Sequence, residues 1–178
     1  MAQNVHIRPI LEADLDLVER LVADPAEASD YGFFGHRDAG RIRRDFAENG
    51  FLAPDAGRLA VAVGPQAAGN DFVGEVSWHR QQRGPTSHCW NIGIALLASA
   101  RGHGYGTTAQ RLLAEYLFAH TLMNRVEAET EVANVAERRA LEKAGFTYEG
   151  IVRGSCYRAG RWRDMASYSM LRSDVEPG

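Results

Sequence analysis

Apolar residues alternate with polar ones in some stretches of the chain and recur every three or four residues in others. That contrast divides it into elements. Residues 5–8 alternate and predict a first strand, ended by Pro9. Leu11, Leu15, Val18, Leu21 and Val22 then recur at helical spacing, with Asp14 and Asp16 near the start and Asp24-Pro25 closing the helix. Ile42 and Phe46 form one face of a short helix that ends near Asn49-Gly50. Residues 59–63 and 72–78 predict two strands, joined by the turn Gly64-Pro65…Gly69-Asn70. Residues 81–86, with Gly84-Pro85, predict a further loop.

The second half is patterned more sharply. Residues 90–96 read as a strand, 101–106 as a glycine-rich turn, and 105–120 as a helix with Ala109, Leu112, Leu113, Tyr116 and Leu117 on one stripe. Residues 125–132 alternate, with Val126, Ala128, Thr130 and Val132 on one side and Glu127, Glu129 and Glu131 on the other. Residues 134–144 are helical, and Gly145 stops them as a C-cap. Residues 146–157 and 165–171 form a last strand pair around Ala159-Gly160. This order predicts one α+β (mixed α/β) domain over 1–178, a largely antiparallel sheet with helices on both faces. The aromatic loop 30–37, DYGFFGHR, is held to the core by its two Phe; Tyr31 and His36 stay candidates for touching a substrate.

At 178 residues the chain can bury one core and not two. Its net charge of −3 gives no sign of the basic face of a nucleic-acid binder, so no direct nucleic-acid partner is expected. A local basic patch for an anionic cofactor remains compatible with that charge. Cys89 and Cys156 are the only cysteines and lack metal-ligand spacing, so neither a disulfide framework nor a metal is expected. The start, MAQNVHIRPI, has no signal-peptide pattern, and no apolar run could span a bilayer. A cytoplasmic protein with no membrane partner is expected.

The candidate chemistry centres on Arg101-Gly102-His103-Gly104-Tyr105-Gly106, between a strand and a helix. Glycines at alternate positions let a ligand approach the main chain, and the helix start aims unpaired N–H groups at the same space. Such a place binds phosphate. Neither common phosphate loop fits, because the turn has no Lys and Thr107 stands where the dinucleotide fingerprint needs Gly. The spelling, with Arg101, Gly104 and Gly106, resembles the acetyl-CoA signature of the GNAT acetyltransferase superfamily. Further residues fall in family order: Asn91-Ile92-Gly93, Asn124 through Ala128, Asn134, Leu141 through Phe146, Glu149-Gly150, and Asp164 with Tyr168 through Leu171. Over residues 72–172 the chain resembles the RimJ/RimL branch, named for enzymes that acetylate the N-terminal amine of ribosomal proteins. The first half matches that branch only in layout.

The resemblance implies a GNAT fold, with six to seven strands splayed at the cofactor site. It implies that the main chain of Ile94, Ala95 and Leu96 pairs with the pantetheine of acetyl-CoA. It gives the diphosphate to Arg101, Gly102, His103, Gly104, Tyr105, Gly106 and Thr107. Asn134 would meet the pantetheine arm and Arg139 the adenosine phosphate, unless Arg139 simply solvates its helix. Many relatives carry a thiolate-protonating Tyr where this chain has Leu141. RimJ/RimL relatives often have Ser at the position of Glu137 and Glu at that of Asn91. Asn91 and Glu137 are therefore candidate catalytic positions whose chemistry has changed.

Direct attack on a thioester needs a neutral amine, and ammonium groups titrate near about 8 to 10.4. Glu75 and His79, which share a strand face with Ser77, are the first candidates for the base; His88 and Glu129 follow. A solvent-facing sheet edge would explain that polar stripe equally well. Trp90 is a candidate acceptor contact or a core indole. The expected function is acetyl transfer from acetyl-CoA to a primary amine, of a protein N-terminus or a small molecule, with a homodimer left open. The alternatives are a non-catalytic acyl-CoA-binding module and a transferase for a longer acyl group.

Overall fold

The structure, a computed structural model, describes residues 4–36, 38, 40–65 and 71–175. Strand β1 (Val5–Pro9) leads through a single 3-10 turn, Glu12–Asp14, into α1 (Leu15–Ala23). Buried Asp14 fixes that junction: it accepts the Leu11 N–H at 2.8 Å and a 2.6 Å bond from Arg8, which also reaches Asp71. Then follow α2 (Gly40–Asn49), β2 (Leu52–Ala53), β3 (Ala56–Val63), β4 (Phe72–Gln82) and β5 (His88–Leu96). The chain continues with α3 (Tyr105–His120), β6 (Arg125–Glu131), α4 (Val135–Ala144), β7 (Thr147–Arg158) and β8 (Arg161–Leu171).

The strands form one sheet in the order β1-β3-β4-β5-β6-β8-β7, with β2 paired to β3. Every pairing is antiparallel except β5 with β6, which α3 connects as the crossover that a parallel pair requires. Helices α3 and α4 cover one face, over Val76, Trp78, Trp90, Ile92, Val126 and Tyr168. Helices α1 and α2 cover part of the other, over Ala60 and Phe72. A bulge at Val73 lets β4 serve both layers, because Val61 pairs with Gly74 while Ala62 pairs with Phe72. Gly74 is needed there: a Cβ would lie 2.3 Å from the Ala95 carbonyl oxygen.

Several boundaries and faces differ from the sequence pattern. Strands β4 and β5 run further toward each other than expected, pairing Gln81 with Cys89 and Gln82 with His88. Their polar ends hid the hairpin. Strand β8 likewise begins at Arg161, and the two-residue turn Ala159-Gly160 closes the hairpin with positive φ at both residues. The buried stripe of α3 is Ala109, Gln110, Leu113, Ala114, Leu117 and Phe118, rotated from the expected one, so Tyr116 is exposed. On the glutamate side of β6, Glu129 is exposed while its two neighbours are buried. Glu127 is buried between Arg83 and Arg125, and Glu131 is held by Arg158. Residues 66–70 of the expected turn after β3, and Arg37 of the aromatic loop, lie outside the described residues.

Candidate functional site

The parallel pair β5–β6 is short. Trp90 pairs with Val126, Asn91 with Glu127 and Ile92 with Ala128, and there the pairing stops. Beyond it, β5 stays bonded to β4 as far as Leu96, and β6 to β8 as far as Glu131. The two strands diverge and leave a gap in the sheet. A cavity of about 1240 Å³ runs through this gap, lined from both faces.

On the α3–α4 face the cavity meets Gly102, Gly104, Gly106 and Thr107 at the start of α3. Gly102 and Gly104 have φ of +78° and +81°, and a Cβ built on either would meet no atom within 4 Å. The space over their main chain is open. The first helical bond of α3 runs from Thr108 N–H to the Gly104 carbonyl. Among the described residues the N–H groups of Gly102, His103 and Gly104 have no main-chain acceptor. A nest of this kind at a helix start fits an anion. Arg139 and Lys143 line the same side from α4 and add positive charge.

The α4 side also carries an acid. Asn134 caps α4 by accepting the Glu137 N–H at 3.3 Å, and its amide donates to Thr130 Oγ1 at 3.1 Å. Glu137, one turn in, lines the cavity. Burial pushes its carboxyl up to about 7, against an opposing hydrogen bond from Gln110. Gln110 is fully buried on α3 and donates to the Gly106 carbonyl at 3.1 Å. The acid is thus tied to the glycine turn through one side chain.

The opposite face supplies the other arm. Glu75 of β4 and Arg58 of β3 line it, with Arg58 Nη1 3.1 Å from the Glu75 carboxylate. Burial raises the Glu75 carboxyl and Arg58 only partly counters this. Ser77, Gly93 and Ala95 floor this arm, Glu129 and Glu131 stand across the gap on β6, and the loop 25–35 forms the outer wall. Tyr31 and Phe34 of that loop both line the cavity, so Phe34, expected in the core, is exposed at its mouth.

The expected site residues therefore divide. Glu75, Glu137, Ile94, Ala95, Leu96, Arg101, Gly102, Gly104, Gly106, Thr107, Asn134, Arg139 and Tyr31 surround one cavity. His79 does not line it: the residue is exposed beyond Ser77, paired with Asn91, and Asn91 lies short of the gap. Trp90 is a core residue whose indole N–H donates to Thr121 Oγ1 at 3.0 Å. His36 is exposed, edge-on to Phe33, and outside the cavity. The His103 ring stacks on Tyr105, and neither side chain faces the cavity. The Leu96 carbonyl is already taken by Arg101, at 3.0 and 3.1 Å, and is not free to pair with a ligand. Sequence reasoning passed over Gln110, Arg58 and Glu27. Only Gln110 left a signal, as a polar residue inside an apolar stripe.

Comparison with known proteins agrees with this arrangement. Residues 4–147 match the family model described as an acetyltransferase (GNAT) domain, reaching into the half that sequence likeness left unmatched. The Bacillus subtilis protein named Probable N-acetyltransferase YjcK is 34% identical over 110 residues, 62% of this chain. The match spans only 60% of that protein's own length. The fold is similar to that of spermidine N-acetyltransferase from Vibrio cholerae, solved with CoA and spermine, with a TM-score of 0.79 and 17% identity over 96% of both chains. It is also similar to Mycobacterium smegmatis RimJ, solved with CoA-disulfide, with a TM-score of 0.75 and 20% identity over 98% of this chain and 85% of that one. The chain belongs to the GNAT acetyltransferase family.

Proposed function

We propose that this GNAT-family chain is an N-acetyltransferase that moves the acetyl group of acetyl-CoA onto a primary amine. One observation carries the reading: two carboxyls, Glu75 buried and Glu137 half-buried, open from opposite faces of the sheet into one cavity beside an open nest of amides. The residues fit the cofactor, since the nest is clear of side chains, Arg139 and Lys143 lie nearby, and the gap exposes a strand edge. The N–H groups of Gly102, His103 and Gly104 would hold the diphosphate, and the Gly93-to-Ala95 edge the pantetheine. Acetyl-CoA supplies, when bound, an activated acyl carbon with a thiolate leaving group.

The chain's own residues do the rest. Glu75 takes the ammonium proton, directly or through a water, which frees the amine for attack. Asp30 and Glu129 line the same arm without an ion pair among the described residues, so it suits a cationic acceptor. A main-chain N–H of β5 near Ile94 meets the charge that develops on the carbonyl oxygen. Glu137, mostly neutral below about pH 7, gives its proton to the departing sulfur as the C–S bond breaks, and the attacking nitrogen loses its second proton to water as the amide forms. Holding the reactants together in the gap supplies much of the rate. A cytoplasmic setting, where acetyl-CoA and amine acceptors meet, fits this reading.

The test is thiol release from acetyl-CoA with spermidine and with a peptide bearing a free N-terminal alanine. Release with either supports the transferase. Calorimetric binding of CoA with no release from any amine would instead mark a non-catalytic binding module.

A further inference from the structure

Loop 25–35, the outer wall of the acceptor arm, is pinned on both banks of the gap. On the β5 bank the pin is Glu27. Its carboxylate accepts the Ala98 N–H at 2.9 Å and pairs with Arg20, while its main-chain carbonyl accepts from Arg101 Nη2. Arg101 Nε and Nη2 also donate to the Leu96 carbonyl. On the β6 bank the pin is Tyr31. Its hydroxyl donates to the Ala133 carbonyl at 3.1 Å, and Arg158, itself held by Glu131, lies 5.6 Å over the Tyr31 ring. Each pin ends on a segment that leads into a helix of the cofactor arm: Leu96 to Arg101 before α3, Ala133 before α4.

We infer that Arg101 is a positioning residue for the acceptor wall, not a ligand of the diphosphate, and that the twice-pinned loop couples acceptor binding to cofactor binding. The inference rests on the acetyltransferase reading of the same cavity. A guanidinium grips a phosphate best through one fork of two parallel N–H groups. In Arg101 the Nε–Nη2 fork is spent on two main-chain carbonyls, Leu96 and Glu27, that would otherwise lose their donor. The side chain thus staples the end of β5 to the acceptor wall, and the anion is left to the amides. A loop fastened to both banks fits best at one separation of them. A cofactor that sets the separation therefore also sets the wall, and linkage makes the effect reciprocal.

Three measurements test this. Amide hydrogen exchange needs no ligand. Residues 25–35 should exchange faster in Arg101→Ala, equally so in Arg101→Lys, which keeps the charge and loses the fork, and less so in Tyr31→Phe. Calorimetry should compare CoA with pantetheine, which lacks the diphosphate. In Arg101→Ala both should weaken by one common factor, under about threefold, while the KM for the spermidine or peptide acceptor rises about tenfold. In the wild type, CoA should slow exchange in 25–35. Unchanged exchange in Arg101→Ala overturns the inference. So does a tenfold loss of CoA affinity with pantetheine binding intact, which would make Arg101 a diphosphate ligand. A wild-type protein that releases no thiol would count against the transferase instead, and the exchange data would still judge the staple.

Discussion

The cofactor arm and the acceptor arm of this cavity recognise their ligands with different parts of the chain. On the cofactor arm the main chain does the work: a Cβ on Gly102 or Gly104 would meet open space, and the stacked His103 and Tyr105 rings lie off the cavity. On the acceptor arm, side chains from five separate segments meet: Arg58 of β3, Glu75 of β4, Glu129 of β6, Cys156 of β7 and the loop 25–35. A site made of amides needs only a turn of the right shape, so it depends on glycine spacing. A site made of side chains depends on every element that carries one.

Replacing a glycine of the nest should break the comparison hardest. Gly104→Val puts a branched side chain at a φ of +81° that L residues avoid, in space free of other atoms. CoA affinity should fall about 100-fold, the worth of one or two charge-assisted hydrogen bonds. The fold should persist at a lower melting temperature, because nothing crowds the new side chain but the left-handed backbone strains it. Circular dichroism and calorimetry on the same sample check both halves of this expectation.

Glu137→Gln tests the acid that stands between the two arms. The turnover number should drop about 100-fold, as for loss of a general acid. Wild-type kcat should fall as pH rises through about 7, and the Gln variant should lack that limb. Stability gives an independent reading. The carboxyl goes from 4.5 unfolded to about 7 folded, so its charged form is disfavoured in the native state. Native stability should therefore decline as pH rises from 4.5 to 7 and then level off, a loss of roughly 3 kcal/mol at most. Glu137→Gln should melt above the wild type at pH 8, with the gap closing toward pH 5.

His79→Ala should do least. The residue is exposed and off the cavity, so kcat/KM and its pH profile should stay within about twofold of wild type. Loss of the acidic limb, where activity falls as pH drops, would return His79 to the acceptor arm as its base and dissolve the contrast between exposed stripe and buried site.

How much of this was legible in the sequence follows the same division. The glycine turn, the span of α3 and the Gly145 cap of α4 were legible, since each depends on residues within a turn or two of one another. The gap in the sheet was legible only through family resemblance, because alternation along β5 and β6 says nothing of where their pairing ends. His79 and Glu75 looked equivalent by strand parity. What separates them is burial under α1 and the loop 25–35, which two-residue periodicity cannot express. Alternation set Glu127, Glu129 and Glu131 on one side of β6 but could not say that Glu127 and Glu131 are buried, since Arg83 and Arg158 reach them from other parts of the chain. Arg101 carried a family motif, yet its donors go to carbonyls five and 74 positions away.

The central claim is that bare amides of the turn before α3 hold the diphosphate. Titrating 15N-labelled protein with CoA and then with pantetheine, and following the main-chain amide signals, tests it most directly. The account predicts large shifts at Gly102, His103 and Gly104 with CoA that are absent with pantetheine, while signals along β5 respond to both. Signals of the turn that stay fixed as CoA saturates the rest of the cavity would contradict it.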